Sequence, residues 1–129
     1  MDTPRYYTVG LRPVKFVRAA NGGLAVLKMN WETGVFEYGM DYLARAMSSD
    51  SDVDRVDEDD FIQHVESLRA RRIYGEGPLS ALYQAINSIE DVAKAQDRQL
   101  TAEEYDLRAE LRRQTYAKFQ EAHPDDMTD

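Results

Sequence analysis

The segment 24–38, LAVLKMNWETGVFEY, carries the signals of two strands joined by a turn. Its first part, 24–30, is a nearly continuous apolar run, which is typical of a strand covered on both faces. Residues 32–34, ETG, then offer a tight connection in which Gly34 can take the left-handed position of a bulge. The run 35–38, VFEY, returns as a second strand. Because the connection is too short for a crossover, the two strands are predicted to be antiparallel neighbours.

Two earlier segments extend this hairpin. The run 5–11, RYYTVGL, is rich in aromatic and β-branched residues, and the run 13–19, PVKFVRA, precedes an Asn-Gly-Gly turn. Pro13 lacks an N–H donor, so it favours an edge strand or the start of a strand. The first forty residues therefore predict a three- to four-stranded antiparallel meander over 5–38.

After the meander, the apolar period changes to that of helices. Thr101 and Glu104 have the spacing of a capping box, and Asp57 is a further N-cap candidate. A short connection separates the last two helices, which predicts a helical hairpin. The predicted helices cover 40–47, 58–72, 78–97 and 102–122.

Together these elements predict an α+β fold in one domain, 1–129. The β meander occupies 5–38, the helical part 40–122, and a frayed tail 123–129. The length of 129 residues is within the range of a single domain.

The composition restricts the classes of function. The net charge is −8, and nucleic-acid phosphates repel a strongly acidic protein, so no nucleic acid is expected as a partner. There is no cysteine, so disulfide and thiolate chemistry are excluded. No apolar run approaches the ~20 residues of a membrane span, and residues 1–5 lack the features of a leader. A cytoplasmic protein without membrane association is therefore expected.

The segment 50–60 packs seven carboxylates into eleven residues. Its first three aspartates have the 1, 3, 5 spacing of an EF-hand calcium loop. Such a loop would need glycine where Arg55 stands and glutamate where Phe61 stands. No metal ligand and no cofactor are therefore predicted.

Two interpretations of this acidic segment stay open. It can be a solvated loop that runs into a helix start, where negative charge meets the positive end of the helix dipole. It can also be a docking surface for a basic partner protein. The candidate partner-binding residues of this segment are Asp54, Asp57, Asp59 and Asp60.

Catalytic motifs are absent from the sequence. His64 and His123 are the two histidines, and neither belongs to a metalloprotease, nucleophile-elbow or phosphate-loop motif. A Ser–His–Asp set needs no fixed spacing, but nothing in the sequence indicates one. No catalytic residue is predicted, and the 24 acidic residues do not single out a carboxylate pair.

The last predicted helix carries two arginines, Arg108 and Arg112, within an otherwise apolar arc. Tyrosine and arginine are enriched at binding hot spots, so this arc can be an intermolecular surface, for a second copy or for another protein. Alternatively, Leu107 and Leu111 pack inward and the arginines reach acidic residues of neighbouring elements. The candidate partner-binding residues of this helix are Tyr105, Arg108, Arg112, Tyr116 and Phe119.

Basic side chains also gather at Arg69, Arg71 and Arg72. Acidic residues are concentrated elsewhere, so charge is segregated along the chain. This segregation favours either self-association or internal ion pairs, which contribute under ~1 kcal/mol each at a surface.

Residues 6–72 also carry a pattern of strands, turns and a helix. It resembles small uncharacterised bacterial proteins that begin with a Tyr-Tyr strand, a Pro-Val-Lys strand and a W-x-T-G-x-F hairpin. The resemblance implies no activity and transfers no functional residue. The stretches that carry it are YYTVGLRPVKFV (6–17), GGLAVLKMNWETGVFEYGMDYL (22–43) and DEDDFIQHVESLR (57–69).

These observations predict a non-enzymatic protein–protein interaction or regulatory module, which can be dimeric through the last helices. A first alternative is an acidic inhibitor or immunity-type protein that covers a basic partner, such as a nuclease, with the segment 50–60. A second alternative is a small enzyme with a carboxylate-based site.

Overall fold

The computed structural model describes residues 3–44, 52–72 and 77–125. Their fold is α+β, as predicted, with an antiparallel sheet of five strands and with three α-helices in these ranges. The prediction of three to four strands is therefore corrected to five.

The chain divides into two compact units. Unit 1 comprises Met1–Phe61 and His123–Asp129, and unit 2 comprises Ile62–Ala122. Unit 1 holds the sheet, and unit 2 holds nearly all of the helical part. The single domain over 1–129 stays a prediction beside this division.

The predicted meander forms the larger part of the sheet. The strands are β1 (Arg5–Val9), β2 (Arg12–Arg18), β3 (Leu24–Met29), β4 (Phe36–Tyr38) and β5 (Val53–Val56). Their order in the sheet is β4-β3-β2-β1-β5, and each neighbouring pair is antiparallel. Pro13 is the second residue of β2, as expected near a strand start, but β2 lies between β3 and β1, so the edge-strand alternative is wrong.

Strand β5 lies inside the segment that was predicted to be an acidic loop. It pairs with β1, so that Val56 lies opposite Tyr6 and Asp54 lies opposite Thr8. The reason is that β1 presents a row of backbone N–H and C=O groups on the side away from β2, and β5 satisfies them. The loop interpretation of residues 53–56 is therefore wrong, while residues 50 and 51 lie outside the described part of the chain.

The three α-helices are α1 (Glu58–Arg72), α2 (Pro78–Ala95) and α3 (Ala102–Ala122). Asp57 caps α1 as predicted, because its Oδ1 accepts a hydrogen bond from the backbone N–H of Asp60 at 2.7 Å. The capping box at α3 is also confirmed. The Thr101 N–H donates to Glu104 Oε1 at 2.9 Å, and the Glu104 N–H donates to Thr101 Oγ1 at 3.1 Å.

The helix predicted over 40–47 is described only in part. Met40–Tyr42 form a 3-10 turn, and residues 43 and 44 are helical. Residues 45–47 lie outside the described ranges. Among the helices that are described, none is both long and apolar enough to cross a membrane.

Both faces of the sheet are buried. On one face, Tyr7, Phe16 and Val26 belong to one apolar cluster. On the other face, the ring of Phe36 lies 5.7 Å from that of Phe61, which is the first-turn aromatic residue of α1. This arrangement explains why β3 carries an apolar run instead of a strict alternation.

The C-terminal segment is partly held in place. Asp125 forms an ion pair of 2.7 Å with the buried side chain of Lys15 in β2. The prediction of a frayed tail over 123–129 is therefore wrong for Asp125, because a buried ammonium group requires an anionic partner. Residues 126–129 lie outside the described part of the chain.

Candidate functional site

Helices α2 and α3 form the predicted hairpin in unit 2. Arg108 Nη1 lies 2.9 Å from Glu90 Oε2, and Thr115 is near enough to the Tyr83 hydroxyl to act on the pKa of Tyr83. Both pairs are equidistant in sequence from Gln99, so the two helices run antiparallel with the connection at its closed end. This geometry brings the last turn of α2 beside the first turns of α3.

The interior of unit 2 contains an ionic network that the sequence did not indicate. Glu66 and Arg69 are both 0% exposed, and Arg69 Nη1 donates to Glu66 Oε2 at 2.9 Å. The Tyr83 hydroxyl donates to Glu66 Oε1 at 2.8 Å. The Arg69 guanidinium also lies 3.7 Å from the ring centre of Phe119. The carboxylate thus receives a cation and a hydroxyl donor together.

For Arg69, this network matches the internal ion pair that the sequence left open beside self-association. Arg71 and Arg72 are exposed, as a basic surface requires, but Arg69 faces inward. Burial, followed by the charge and hydrogen bond of Glu66, raises the pKa of Tyr83 above its ordinary range. The one local signal was the three-residue spacing of Glu66 and Arg69, which puts both on one side of α1.

Arg112 is also buried, at 7% exposed. Its Nη1 donates to Gln63 Oε1 at 3.3 Å, and its Nη2 lies 3.9 Å from Glu90 Oε2. Burial, with a further contribution from the Arg108 charge, holds the pKa of Arg112 below its ordinary value. Its Nε has no hydrogen-bond acceptor among the described residues. In this structure Arg112 has little surface to offer a partner.

The predicted face of α3 is therefore split. Phe119 is buried, Tyr116 is half-buried, and Tyr105 is 47% exposed. Leu111 packs against the apolar cluster of unit 2, as predicted. Leu107 was expected to pack inward, but it is 52% exposed. Arg108 and Arg112 occupy the inward-facing side of α3 instead of Leu107. Arg108 has a carboxylate partner and Arg112 an amide partner.

The exposed part of this face borders a groove at the closed end of the hairpin. The groove has a volume of about 540 Å³. Arg108 lies with its Cζ 5.0 Å from the ring centre of Tyr105, within the range of a cation–π contact. Two predicted site residues thus lie side by side. The groove is lined by Glu90, Ala93, Lys94, Asp97, Arg98, Gln99, Leu100, Tyr105 and Arg108.

The rim of the groove includes a backbone feature at Asp97. Helix α2 ends there in a Schellman motif, since the Arg98 N–H donates to Ala93 O at 3.0 Å and the Asp97 N–H donates to Lys94 O at 3.0 Å. The motif needs a left-handed residue, and Asp97 has φ of 52°. Glycine is the usual residue at this position, because it has no Cβ to crowd the backbone. The conformation also explains why α2 ends at Ala95 and not at 97.

An ion pair holds the connection between α2 and α3 in place. Arg98 lies 2.7 Å from Glu104, and Glu104 also accepts from the Thr101 N–H. The Arg98 side chain and then the Thr101 backbone lower the pKa of Glu104 to about 2. The first turn of α3 is thus tied to the connection.

The acidic candidates lie in unit 1. Asp54 is exposed on the edge strand β5, Asp57 caps α1, and Asp59 and Asp60 are exposed in its first turn. Within the described ranges, no three side chains of His, Asp or Glu come together to hold a metal ion. Asp57 acts as the cap of α1. Of the four acidic candidates, three are therefore exposed carboxylates without a capping role.

Compared with protein-family models, with curated proteins and with solved structures, the chain matches none of them. The resemblance of residues 6–72 to small bacterial proteins stays a prediction.

Proposed function

We propose that the chain is a non-enzymatic protein–protein interaction module and that it contacts its partner through the groove at the closed end of the α2–α3 hairpin. The observation that carries this proposal is the pairing of exposed Tyr105 with Arg108 at the groove. These residue types dominate interface hot spots, because each combines a large flat contact area with hydrogen-bond donors.

The chemistry of the groove favours a protein surface over a small molecule. Small-molecule sites are mostly apolar and enclose their ligand. This groove is open and is lined largely by charged side chains of both signs, such as Lys94, Asp97 and Arg98. A partner that presents charges of both signs in the complementary order would be selected by this lining.

The conformation of Asp97 supports the same proposal. A glycine would fold more easily at a left-handed position, so the aspartate carries a conformational cost. A cost of this kind is expected where a side chain serves binding and not folding. The Asp97 carboxylate is exposed at the rim, where a partner's basic group can reach it.

A matched pair of variants tests the proposal. Tyr105→Ala removes the aromatic residue of the groove, while Leu107→Ala removes an equally exposed apolar residue of the same helix that does not line the groove. Each tagged chain would be used to capture proteins from its native host, and light scattering would measure its mass. We expect Tyr105→Ala to weaken retention of the partner by about thirtyfold, as for a hot spot worth about 2 kcal/mol.

The partner can be a second copy, in which case Tyr105→Ala converts a dimer to a monomer and Leu107→Ala does not. The proposal fails if the two variants and the wild type capture the same proteins to the same extent and have the same mass. Arg112→Glu is unsuitable for this test, because it would place a negative charge in the interior of unit 2.

A second candidate function is the acidic inhibitor. The observation in its favour is that Asp54, Asp59 and Asp60 are all exposed at one junction of strand and helix. A basic partner would meet three carboxylates there, and the association would be faster at low salt.

The test of the inhibitor function compares two triple variants that lose the same number of negative charges at different places on the chain. Replacing Asp54, Asp59 and Asp60 by asparagine changes the net charge as much as replacing Glu103, Asp106 and Glu121 by their amides. The first triple variant should lose salt-sensitive capture of a basic partner, and the second should keep it. Equal losses would show that only the net charge acts, which contradicts a specific acidic surface. Asp57 is left intact because it caps α1.

A further inference from the structure

A second cluster of hot-spot residue types lies in unit 1, around Arg12 at the start of β2. The Arg12 Cζ is 5.1 Å from the ring centre of Trp31 and 5.7 Å from that of Tyr42. Both distances are within the range of a cation–π contact. Trp31 is the single tryptophan of the chain. The guanidinium is thus held by two aromatic rings at the surface of the sheet.

Arg12 has no acidic partner within the described ranges. Among residues 3–44, 52–72 and 77–125, no carboxylate lies within ion-pair distance of its guanidinium, and its contacts there are the two rings and its strand pairing. This is unusual in a chain of net charge −8, because acidic side chains outnumber basic ones. A guanidinium has five N–H donors in a fixed fork, which matches a carboxylate.

The neighbouring charged side chains, Lys28 and Glu37, have polar partners. Lys28 Nζ lies 5.5 Å from the Tyr42 ring and 3.7 Å from the Asp41 carboxylate. Its stem packs on the backbone of Gly39, where an added Cβ would come within 2.9 Å of Lys28 carbons. Glu37 lies opposite Lys28 in the strand register, and its carboxylate accepts from the Asn30 side chain at 3.3 Å. Among the side chains that the structure describes here, Arg12 is therefore the cation without an acidic partner.

We propose that the cluster Arg12–Trp31–Tyr42 binds a carboxylate side chain on an acidic segment of a partner protein. The exposed neighbour Leu11, at 71%, gives an apolar contact beside the charged one, as protein interfaces require. A nucleic acid is disfavoured, because its closely spaced phosphates would meet Asp41 and Glu37 as well as Arg12. This binding site is in unit 1 and does not depend on the groove of unit 2.

The two aromatic contacts of Arg12 lower the entropic cost of binding a ligand. A free arginine side chain loses rotamer freedom when it binds, whereas one already held by aromatic contacts loses less. Trp31 is also a reporter, since its indole lies next to the site and changes its environment when an anion approaches Arg12.

The test uses the whole chain and a capped pentapeptide, Gly-Glu-Leu-Glu-Gly, with Gly-Gln-Leu-Gln-Gly and inorganic phosphate as comparison ligands. Binding is followed by Trp31 fluorescence and by amide and indole NMR shifts. We expect saturable shifts centred on Leu11, Arg12 and Trp31 with the glutamate peptide, and none with the glutamine peptide.

Variants locate the binding. Arg12→Gln should weaken binding of the peptide by about ten- to a hundredfold, the usual range for hydrogen bonds to a charged group. Arg55→Gln, which removes the same charge from the exposed edge strand β5, should leave the affinity unchanged. Arg12→Lys keeps the charge without the fork and should weaken binding to a smaller extent. Tyr105→Ala should bind the peptide as the wild type does. The peptide experiment therefore tests the Arg12 cluster independently of the groove in unit 2.

The proposal is overturned if no shift appears up to about 10 mM peptide, where a site with a Kd of about 1 mM would be nine-tenths occupied. It is also overturned if Arg12→Gln and Arg55→Gln bind alike. Shifts as large with phosphate as with the glutamate peptide would identify a general anion site and contradict an acidic protein segment as the ligand.

Discussion

Replacing Arg69 with methionine is expected to lower the free energy of unfolding of unit 2 by about 3–5 kcal/mol at neutral pH. Glu66 and Arg69 are both 0% exposed, so water does not replace the lost cation and the Glu66 charge is left buried without a counterion. The contact of Arg69 with the Phe119 ring is lost as well. For a chain of this size, the shift in Tm would be about 10–20 °C.

The double variant Glu66→Gln, Arg69→Met separates the charge effect from packing. The glutamine amide oxygen can still accept from the Tyr83 hydroxyl, and neither of the two replaced positions then carries a charge. We expect the double variant to recover at least about 2 kcal/mol of the loss.

The assay is urea unfolding followed by circular dichroism at 222 nm, which reports on the helices, with Trp31 fluorescence as the parallel signal of unit 1. Each variant would be compared with the wild type at the same pH and ionic strength. A single variant within about 1 kcal/mol of the wild type, or a double variant no more stable than the single one, would refute the assignment of Glu66 and Arg69 as a mutually dependent buried pair.

Three further changes test separate parts of the fold. Thr101→Ala should cost about 1 kcal/mol through the lost cap of α3, and a cost below the error of the urea midpoint would contradict the capping box. The folded-state pKa of Glu104, about 2, lies below its ordinary value, so its contribution to stability is present above about pH 4.5 and is lost as the pH falls toward 2. The protection of amides at the start of α3, measured relative to their intrinsic exchange rate at each pH, should fall over that window, and constant protection would argue against it. Asp97→Gly should raise stability by up to about 1 kcal/mol while it weakens partner binding, and a destabilised variant would contradict the left-handed conformation. Asp125→Asn should destabilise unit 1, because it removes the anion 2.7 Å from buried Lys15, and an unchanged urea transition of Trp31 fluorescence would show that this ion pair contributes little.

The elements that could be predicted from the sequence are those with local signals. Helix α1 begins where Asp57 caps it, and α3 begins at the Thr101 capping box, because N-cap side chains bond to amides within three residues. Strand β5 could not be predicted in this way. Its pairing partner β1 is more than forty residues distant in sequence, and its own residues, VDRV, carry charges that suggested a loop.

The candidate site was predicted only in part, for a related reason. Tyr105 and Arg108 were selected correctly as neighbours on one side of α3, because helical periodicity is a local property. The burial of Arg69 and Arg112 depends on partners elsewhere in the fold, namely Phe119 and Gln63, and a charged residue is normally assigned to the surface. The sequence does not single out Arg12, because the lack of a carboxylate near it among the described residues depends on its three-dimensional neighbours.

The pairing of Lys15 with Asp125 also has a consequence for the order of synthesis. Unit 1 is made of two separate stretches of chain, and all of unit 2 is inserted between them. On a ribosome, the strands would emerge first, and Asp125 would be made about 5–22 s after Lys15, once the 110 residues up to it have been translated. The early sheet must therefore hold a lysine whose acidic partner lies 110 positions later in the chain, and a fragment ending at residue 61 would never contain it.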